Sequence, residues 1–321
     1  MLTFLLFAVG IVLITVVLAF FGLTEVVNVV TSANMEYLAL ALALQLVILG
    51  LLACRLIVIS RRHERLSFFS AFRISMSGMA ISMLTPIAKI GGEPLKIYLL
   101  RKKKFTGSEA TAIIAVDTLA ELASSLLVVL FVFVMFAEHV PGVIFSSFVV
   151  FLIVVAAILV VFLKLLLNPR WMRKLIRWTA KRISRASHAR KKDYARLFYN
   201  AFNVLIKDRK ILAGSFGISF ITKLLEFARM WLVFAAIGSV LSWDVIVIVW
   251  SVILVLYLVP WLPGSLGLVE FFGAGTLVFF GLTSSAAAGG LLLDRFISFW
   301  FVLILGLLIS TTMPLPKRLK K

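Results

Sequence analysis

The sequence predicts an all-α polytopic membrane protein with about six full spans and two oppositely oriented re-entrant helical hairpins in an inverted-topology repeat. Three observations support this fold class. Hydrophobic residues make up 62% of the 321 residues, and the mean hydropathy of +1.12 exceeds that of a soluble domain of this size. Basic residues cluster between the apolar runs. Two apolar segments are interrupted by proline and glycine.

The charge excess limits the possible function classes. The 33 Lys and Arg outnumber the 14 Asp and Glu, for a formal net charge of +19, and their clustering fits the positive-inside bias of cytoplasmic loops. Nucleic-acid binding would need a basic face on a folded soluble module, which no segment offers. Cys54 is the single cysteine, which excludes an internal disulfide. We expect a multi-pass protein of the cell membrane with both termini in the cytoplasm and no nucleic-acid partner.

The first two spans set this orientation. The apolar run at about residues 2–22 lacks a basic flank and a cleavage site, so we predict a retained membrane helix rather than a signal peptide. The loop at 22–36 contains no Lys or Arg and is expected outside. A second span at about 37–59 ends near several bases, which places the next loop in the cytoplasm. These bases are Arg55, Arg61, Arg62 and Arg65.

The first helix break lies in residues 85–94, which read TPIAKIGGEP. Prolines, glycines, Lys89 and Glu93 fit poorly in a lipid-facing helix, because freed backbone groups and charges have no water to contact. The segment 68–100 has basic flanks on both sides and is too short for two full spans, which need about 40 residues. We therefore predict a re-entrant hairpin that enters and leaves on the cytoplasmic side. Glu93 and Pro94 suit the first turn of its second half-helix.

The middle of the chain contains two further spans and a basic stretch. A third span is predicted at about 108–137 and a fourth at about 143–167. Residues 168–210 then hold 14 Lys and Arg, with apolar residues at near-helical spacing among them. This pattern is typical of a basic amphipathic stretch on the anionic cytoplasmic membrane surface. A solvated pair of cytoplasmic helices that only sets the topology is the alternative.

The second half mirrors the first with opposite orientation. A fifth span is predicted at about 211–237, and a second break at 260–270 reads PWLPGSLGLVE. The segment 245–282 has flanks without bases, so it should enter and leave from outside. The last span, at about 286–309, precedes a basic terminus. We predict a single membrane domain over 1–321, with a first inverted repeat at 1–137 and a second at 143–315 that carries the 168–210 insertion.

Ionisable residues lie at or near mid-membrane depth on several predicted elements. Asp117 and Glu121 share one helix face because they are four residues apart. An unpaired charge at a helix centre costs at least ~2.5–3.5 kcal/mol on insertion scales, so these groups should face inward and pair. The intramembrane charge network comprises Asp117, Glu121, Lys223, Glu226, Arg229 and Asp294, beside Lys89, Glu93, Glu270 and Arg295.

Two interpretations of this network stay open. One is a structural salt-bridge core that fixes the register of the helices. The other is a hydrophilic midplane cavity for a polar substrate group, which the breaks favour because a structural network does not need broken helices. Half-helix N-termini together with Lys89 would suit an anion such as a lipid phosphate. No metal-ligand spacing and no credible nucleophile–histidine set occurs at the midplane, so we expect neither a cofactor nor enzyme activity.

The two breaks and the last span resemble motifs of the flippase-like UPF0104 family, whose fold is also the transmembrane region of lysylphosphatidylglycerol synthases. The first break, TPIAKIGGE at 85–93, is similar to a Pro-Ala-(Arg/Lys)-x-Gly-Glu pattern with one extra residue. The second, PGSLGLVE at 263–270, resembles Pro-Gly-Gly-x-Gly-x-x-Glu with a serine for the second glycine. A basic residue follows in the last span, here Arg295.

The resemblance implies translocation of lipids, often aminoacylated phospholipids or polyprenyl-linked species. Lys89 and Arg295 would bind a headgroup phosphate, and Glu93 and Glu270 would orient these cations or contact the headgroup. The full expected substrate-binding set is Lys89, Gly91, Gly92, Glu93, Pro263, Gly264, Gly267, Glu270 and Arg295. The synthases carry a large soluble catalytic domain that this sequence does not contain, so we do not expect their transferase activity.

Two alternatives come from other function classes. The chain could be a membrane enzyme or subunit acting on polyprenyl-phosphate sugars. It could also be a scaffold or partner of a membrane glycosyltransferase or of an aminoacyl-phospholipid synthase, with 168–210 as the docking segment. Transport of labelled lipids in proteoliposomes would separate translocation from both.

Overall fold

The computed structural model describes residues 22–85, 91–135, 188–258 and 263–313. This part of the chain is helical and contains no β-strand. In chain order its α-helices are α1 (Leu23–Thr31), α2 (Met35–Ser60), α3 (Phe68–Leu84), α4 (Glu93–Arg101), α5 (Gly107–Met135), α6 (His188–Lys207), α7 (Arg209–Ala236), α8 (Trp243–Leu258), α9 (Leu268–Phe279), α10 (Ser284–Arg295) and α11 (Phe301–Thr311).

Within the described residues, four helical segments are long and apolar enough to cross a membrane. They are Met35–Ser60, Gly107–Phe131, Arg209–Ala236 and Ser284–Thr311. In the last of these, a π-helical turn at Phe296–Trp300 joins α10 to α11. These segments coincide with the predicted second, third, fifth and last spans, which confirms a helical membrane protein with several spans. The predicted first and fourth spans and residues 168–187 lie outside the described residues.

Helices are interrupted at both predicted breaks. The first break separates α3, which ends at Leu84, from α4, which begins at Glu93. The second separates α8 from α9, with a short 3₁₀ turn at Pro263–Ser265 between them. The sequence therefore predicted where the helices stop. The entry and exit of both hairpins on one membrane side, and the orientation of the termini, stay predictions.

One segment differs from its sequence prediction. Residues 22–36, expected to form a loop, contain helix α1. Its apolar side chain Val26 is buried, and α1 packs against α10. A Cβ on Gly289 of α10 would lie only 2.9 Å from Cγ1 of Val29. Small residues in α10 thus let the two helices approach closely, as in other membrane helix pairs, and this packing stabilises a helix too short to be recognised as a span.

The described residues group into two compact units. One unit draws on Met1–Cys54, Phe68–Lys96 and Phe220–Lys321, and the other on Arg55–Ser67 and Ile97–Ser219. The first and second inverted repeats predicted at 1–137 and 143–315 stay a prediction, because grouping by contact does not test a repeat symmetry.

The first unit is built around α11, which packs against α3. Met76 of α3 and Val302 of α11 are fully buried in one apolar cluster with Leu49 of α2. Gly306 permits this packing, because a Cβ there would lie 2.7 Å from the carbonyl oxygen of Met76. Ala80 of α3 contacts a second cluster that includes Leu266 beside the second break. The core therefore holds α3 and the second break next to each other.

The second unit is built around α5 and α6. The inner face of α6 buries Phe198 and Phe202, whose rings stack with centroids 5.8 Å apart. At the start of α5, the hydroxyl of Tyr194 donates to the carbonyl oxygen of Gly107 at 2.9 Å and lies 2.7 Å from the hydroxyl of Thr111. An apolar face and a polar anchor together fix α6 beside α5.

Candidate functional site at the helix breaks

The second break is a sharp turn with an unusual backbone. Gly264, Ser265 and Gly267 all adopt positive φ angles, of 59°, 52° and 81°. Glycine takes this conformation without a steric penalty, whereas Ser265 does not. The hydroxyl of Ser265 donates to the carbonyl oxygen of Leu256 at 3.1 Å, which compensates part of that cost. The turn therefore needs the glycines, and its serine is fixed to the end of α8.

Glu270 joins the start of α9 to the last membrane helix. It is the third residue of α9, and its Oε2 accepts the N–H of Gly267 at 2.7 Å. This contact satisfies one of the donors that every helix leaves at its first turn. Its Oε1 accepts the Nε–H of Arg295 at 2.9 Å. The carboxylate is only 3% exposed, so it acts both as a helix cap and as a buried counter-ion.

Arg295 holds three elements around this turn. Besides Glu270, its guanidinium donates to the hydroxyl of Tyr257 at 2.5 Å and to the carbonyl oxygen of Gly264 at 2.7 Å. The ring of Phe299 lies beneath it, 4.8 Å from ring centroid to guanidinium carbon. Three of its five N–H groups are therefore engaged by α8, the turn and α9. The side chain is 2% exposed, and its packing leaves little freedom for another orientation.

The neighbouring residue, Asp294, belongs to a separate ion pair. Arg229 of α7 donates through Nε and Nη2 to its two carboxylate oxygens, at 3.0 and 3.2 Å. The Nη1 of Arg229 donates to Oε1 of Gln45 at 2.6 Å, and the hydroxyl of Ser298 lies 3.4 Å from Asp294. A bidentate pair of this kind is both stronger and more directional than a single contact. Two successive residues of α10 thus connect to different helices, immediately before a π-turn of the kind that often marks functional sites.

A third pair lies on α7. Lys223 is fully buried, and its Nζ lies 3.3 Å from Oε1 of Glu226. The indole N–H of Trp250 donates to the same carboxylate at 3.1 Å, and Nζ lies 5.4 Å from the centroid of a Trp250 ring. The two residues are three positions apart on α7, so their side chains lie on neighbouring positions of one helix face. The role of Trp250 could not be predicted from spacing alone.

The first break is held by very close backbone packing. The N–H of Gly92 donates to the hydroxyl of Ser82 at 2.8 Å, and a Cβ on Gly92 would overlap the carbonyl oxygen of Gly78. Glu93 is the first residue of α4, as predicted, and its Oε1 lies 3.1 Å from Nζ of Lys96. The alkyl chain of Lys96 covers Gly78.

The remaining expected site residues are placed as follows. Gly91 packs against the side chain of Thr85, and Pro263 is buried in the turn of the second break. Lys89 lies outside the described residues, so its expected phosphate contact stays a prediction.

Substitution of Gly92 by alanine should destabilise the protein. The added methyl group has no space beside Gly78, and overpacking of a filled interior typically costs about 1–3 kcal/mol. Denaturant titration of the purified protein in detergent should show a lower midpoint. The matched control is Gly217→Ala, because a Cβ there meets nothing within 4 Å. Equal midpoints for Gly92→Ala and the wild type would show that the close packing of the first break is not required.

The second unit contains an ion cluster of which the sequence pattern indicated only the two carboxylates. Asp117 and Glu121 of α5 share one face, as predicted, and both accept from Arg55 of α2, Asp117 at 2.7 Å. The Nη1 of Arg55 also lies 2.9 Å from the hydroxyl of Ser219. From the sequence, Arg55 was expected only as one of the bases that flank a span. Its position inside the apolar run, several residues before the loop, was the signal that could have identified it as a buried partner.

The described residues at the two breaks therefore define a class of protein, a polytopic helical membrane protein with buried ion pairs at interrupted helices. Among these residues, no group of three or more His, Cys, Asp or Glu side chains is arranged to hold a metal ion. The family model of the lysylphosphatidylglycerol synthase TM region matches residues 4–306. The chain belongs to this family, which confirms the resemblance noted from its motifs.

Curated relatives of similar length support the same assignment. A UPF0104 membrane protein of Methanothermobacter thermautotrophicus is 27% identical over 94% of this chain and 92% of its own length. The UPF0104 membrane protein MJ1595 of Methanocaldococcus jannaschii is 24% identical over 91% of this chain and 89% of its own. A third, PH1989 of Pyrococcus horikoshii, is 21% identical over 94% and 95%. The chain is thus similar to whole membrane proteins rather than to a fragment of them.

Proposed function

We propose that the protein moves the headgroup of a phosphate-containing or polyprenyl-linked lipid across the bilayer, as a flippase or scramblase. The observation that carries this proposal is the buried Arg295 cluster at the second break, where a cation, a carboxylate and a bent backbone meet inside an apolar helical unit. Charges at this depth are costly and usually mark a substrate path in membrane proteins. The acyl tails would stay in the bilayer while the headgroup crosses a polar groove.

The packing of the two breaks supports a shared path. Both breaks belong to the same compact unit, and α3, which leads into the first break, packs against the turn at Pro263–Ser265. In transporters built from repeats, broken helices that meet near the midplane form the substrate site. We assign the substrate-facing surface to the residues expected from the sequence, namely the glycines and glutamates of both breaks with Lys89 and Arg295.

The ion pairs also set a condition on how a headgroup could bind. Three N–H groups of Arg295 are engaged within the described residues, which leaves two of its five for an anion. A phosphate would therefore have to reach these two N–H groups inside the buried cluster or displace the hydroxyl of Tyr257. In either case Glu270 keeps the cation in place.

The proposal includes two re-entrant hairpins that open to opposite sides. The shortness of their helices supports this, because α3 has 17 residues and α9 has 12, whereas a full span needs about 20. Loop charges assign the first hairpin to the cytoplasmic side and the second to the outside.

Cysteine labelling should confirm this topology. In a Cys54→Ala background, Ser67→Cys and Thr106→Cys should both react with a membrane-impermeant maleimide only from the cytoplasm. Ser239→Cys and Ser284→Cys should both react from outside, because the loops beside them contain no base. Detergent-permeabilised cells provide the control for intrinsic reactivity. Labelling from opposite sides within either pair would contradict the inverted repeat.

The function itself is tested in liposomes. Purified protein is reconstituted with fluorescent phospholipids or labelled polyprenyl phosphates, and the fraction accessible to an external quencher or enzyme is followed with time. We expect faster equilibration between leaflets than in protein-free liposomes for at least one lipid class. Equilibration rates equal to those of protein-free liposomes for every lipid class would contradict translocation, provided that a reconstituted control flippase is active in parallel.

One observation favours a second candidate. The matching family model is named for the transmembrane region of a synthase, so a membrane subunit or scaffold for a lipid-modifying enzyme fits the same fold. Co-purification of a glycosyltransferase or aminoacyl-phospholipid synthase with the tagged protein, together with inactivity in liposomes, would support this candidate.

A further inference from the structure

A second polar site lies in the second unit and contains none of the residues of the helix breaks. It is an open cavity of about 380 Å³ lined by Arg62, Asn203, Val204, Lys207 and Asp208. Its volume lies within the range of small-ligand sites. Arg62 follows the end of α2, whereas Asn203, Val204 and Lys207 belong to the end of α6 and Asp208 lies between α6 and α7. Two chain segments therefore converge on it.

The cavity has an excess of positive charge. Arg62 and Lys207 are exposed, and neither forms an ion pair with any described residue. The carboxylate of Asp208 is already engaged, since its Oδ1 accepts the backbone N–H groups of Lys210 and Ile211 at 3.0 and 3.2 Å. It caps α7, and as the single carboxylate against two bases it leaves the lining with a net positive charge.

The outer face of α6 continues the cavity with apolar side chains. Val204, which lines the cavity, is 45% exposed, and Leu197, two helical turns earlier, is 55% exposed. The opposite face of α6 is buried through Phe198, Phe202 and Leu205. A helix with one face packed on protein and a second apolar face beside bases is typical of the membrane interface. The cavity thus offers cations next to a surface suited to acyl chains.

The chain also positions the cavity relative to the bilayer. Arg62 lies just after α2 and Lys207 just before α7, and both of these helices are long and apolar enough to span a membrane. The basic segments beside them are predicted to be cytoplasmic. Basic pockets between membrane helices on this side suit anionic lipid headgroups.

From this geometry we infer a site that holds the phosphate of one anionic phospholipid of the cytoplasmic leaflet between Arg62 and Lys207. The amide of Asn203 donates to the phosphate, and Val204 contacts the upper part of the acyl chains. The site retains its lipid rather than translocating it, so it does not depend on the proposed transport function.

Native mass spectrometry of the full chain in detergent tests this site. Phosphatidic acid and phosphatidylcholine of equal chain length are titrated separately, and the population with one bound lipid is measured. We expect preferential retention of phosphatidic acid. The double variant Arg62→Gln/Lys207→Gln should lose this preference by at least about tenfold, since each base near an anionic lipid contributes a factor of about five. The matched control, Arg61→Gln/Lys210→Gln, removes the same charge outside the cavity and should keep the preference.

A gain-of-affinity variant excludes misfolding as the explanation. Asp208→Asn keeps an oxygen that caps α7 but removes a negative charge from the cavity wall, so phosphatidic acid should bind about fivefold more tightly. Unchanged affinity of Asp208→Asn for phosphatidic acid would overturn the proposed site. An equal loss of the preference for phosphatidic acid in the two double variants would overturn it as well. Displacement of phosphatidic acid by millimolar inorganic phosphate would overturn the lipid assignment in favour of a free-anion site. Each result is independent of translocation in liposomes.

Discussion

Replacement of Glu270 by glutamine is expected to abolish most lipid translocation while the protein still inserts into the membrane. The carboxylate accepts from Gly267 through one oxygen and from Arg295 through the other. A glutamine has one acceptor oxygen, so its NH₂ group would face a second donor in this geometry. The lost charge-assisted hydrogen bond is worth about 1.5–3 kcal/mol, and Arg295 would remain buried without its counter-ion. We expect a fall in translocation rate of at least about tenfold, because 1.4 kcal/mol corresponds to one factor of ten.

Two companion variants make this result interpretable. Glu93→Gln, at the first break, should also lose most translocation if both breaks line the path. Glu36→Gln, an exposed residue at the start of α2, should transport at the wild-type rate. Protein amount and thermal unfolding in detergent are measured for each variant. Near-normal transport by both break variants would reduce these glutamates to helix caps and shift the balance to the scaffold candidate.

Removal of Arg55 is expected to have the largest effect on stability. Its guanidinium contacts Asp117, Glu121 and Ser219, and its side chain is 6% exposed. Arg55→Met leaves two carboxylates on one face of α5 without this cation, and breaking a buried ion pair in this way typically costs about 3–5 kcal/mol. The free energy of unfolding, measured by SDS titration in mixed micelles, should fall by this order of magnitude.

Removing the cation together with both carboxylates separates the electrostatic contribution of this cluster to stability from its packing contribution. The triple variant Arg55→Met/Asp117→Asn/Glu121→Gln carries no uncompensated charge from this cluster, so it should recover at least half of the lost stability. The substitution Arg61→Met, at an exposed position six residues after Arg55, serves as the control and should change little. A triple variant as unstable as Arg55→Met alone would show that lost packing, and not the loss of the cation beside the two carboxylates, dominates.

The two experiments also decide between the interpretations that the sequence left open. Within the described residues, three buried cations of the first unit and the half-buried Lys96 each have a carboxylate nearby: Lys96 with Glu93, Lys223 with Glu226, Arg229 with Asp294, and Arg295 with Glu270. Such pairing is what a structural network needs. A transport site additionally requires that a stable, correctly inserted variant lose transport, which is the outcome expected for Glu270→Gln.

Several properties of this protein are determined by the sequence alone. The lengths of the apolar runs dictate which segments become membrane helices, because a span must satisfy its backbone internally. Prolines and glycines dictate where α3 and α8 end, since they remove donors or permit positive φ angles. Spacing along one helix predicts local pairs, and both the Lys223–Glu226 pair and the shared face of Asp117 and Glu121 follow from it.

Only the tertiary structure decides which charges meet between helices. Asp294 and Arg295 are adjacent in sequence, yet they pair with Arg229 and Glu270 on different helices. Arg55 becomes a buried counter-ion because α2 places it beside α5, and α1 forms because small residues of α10 leave room for it. Pairing across helices depends on helix rotation and crossing, which arise from packing of side chains distant in sequence. Local spacing carries no information about those contacts.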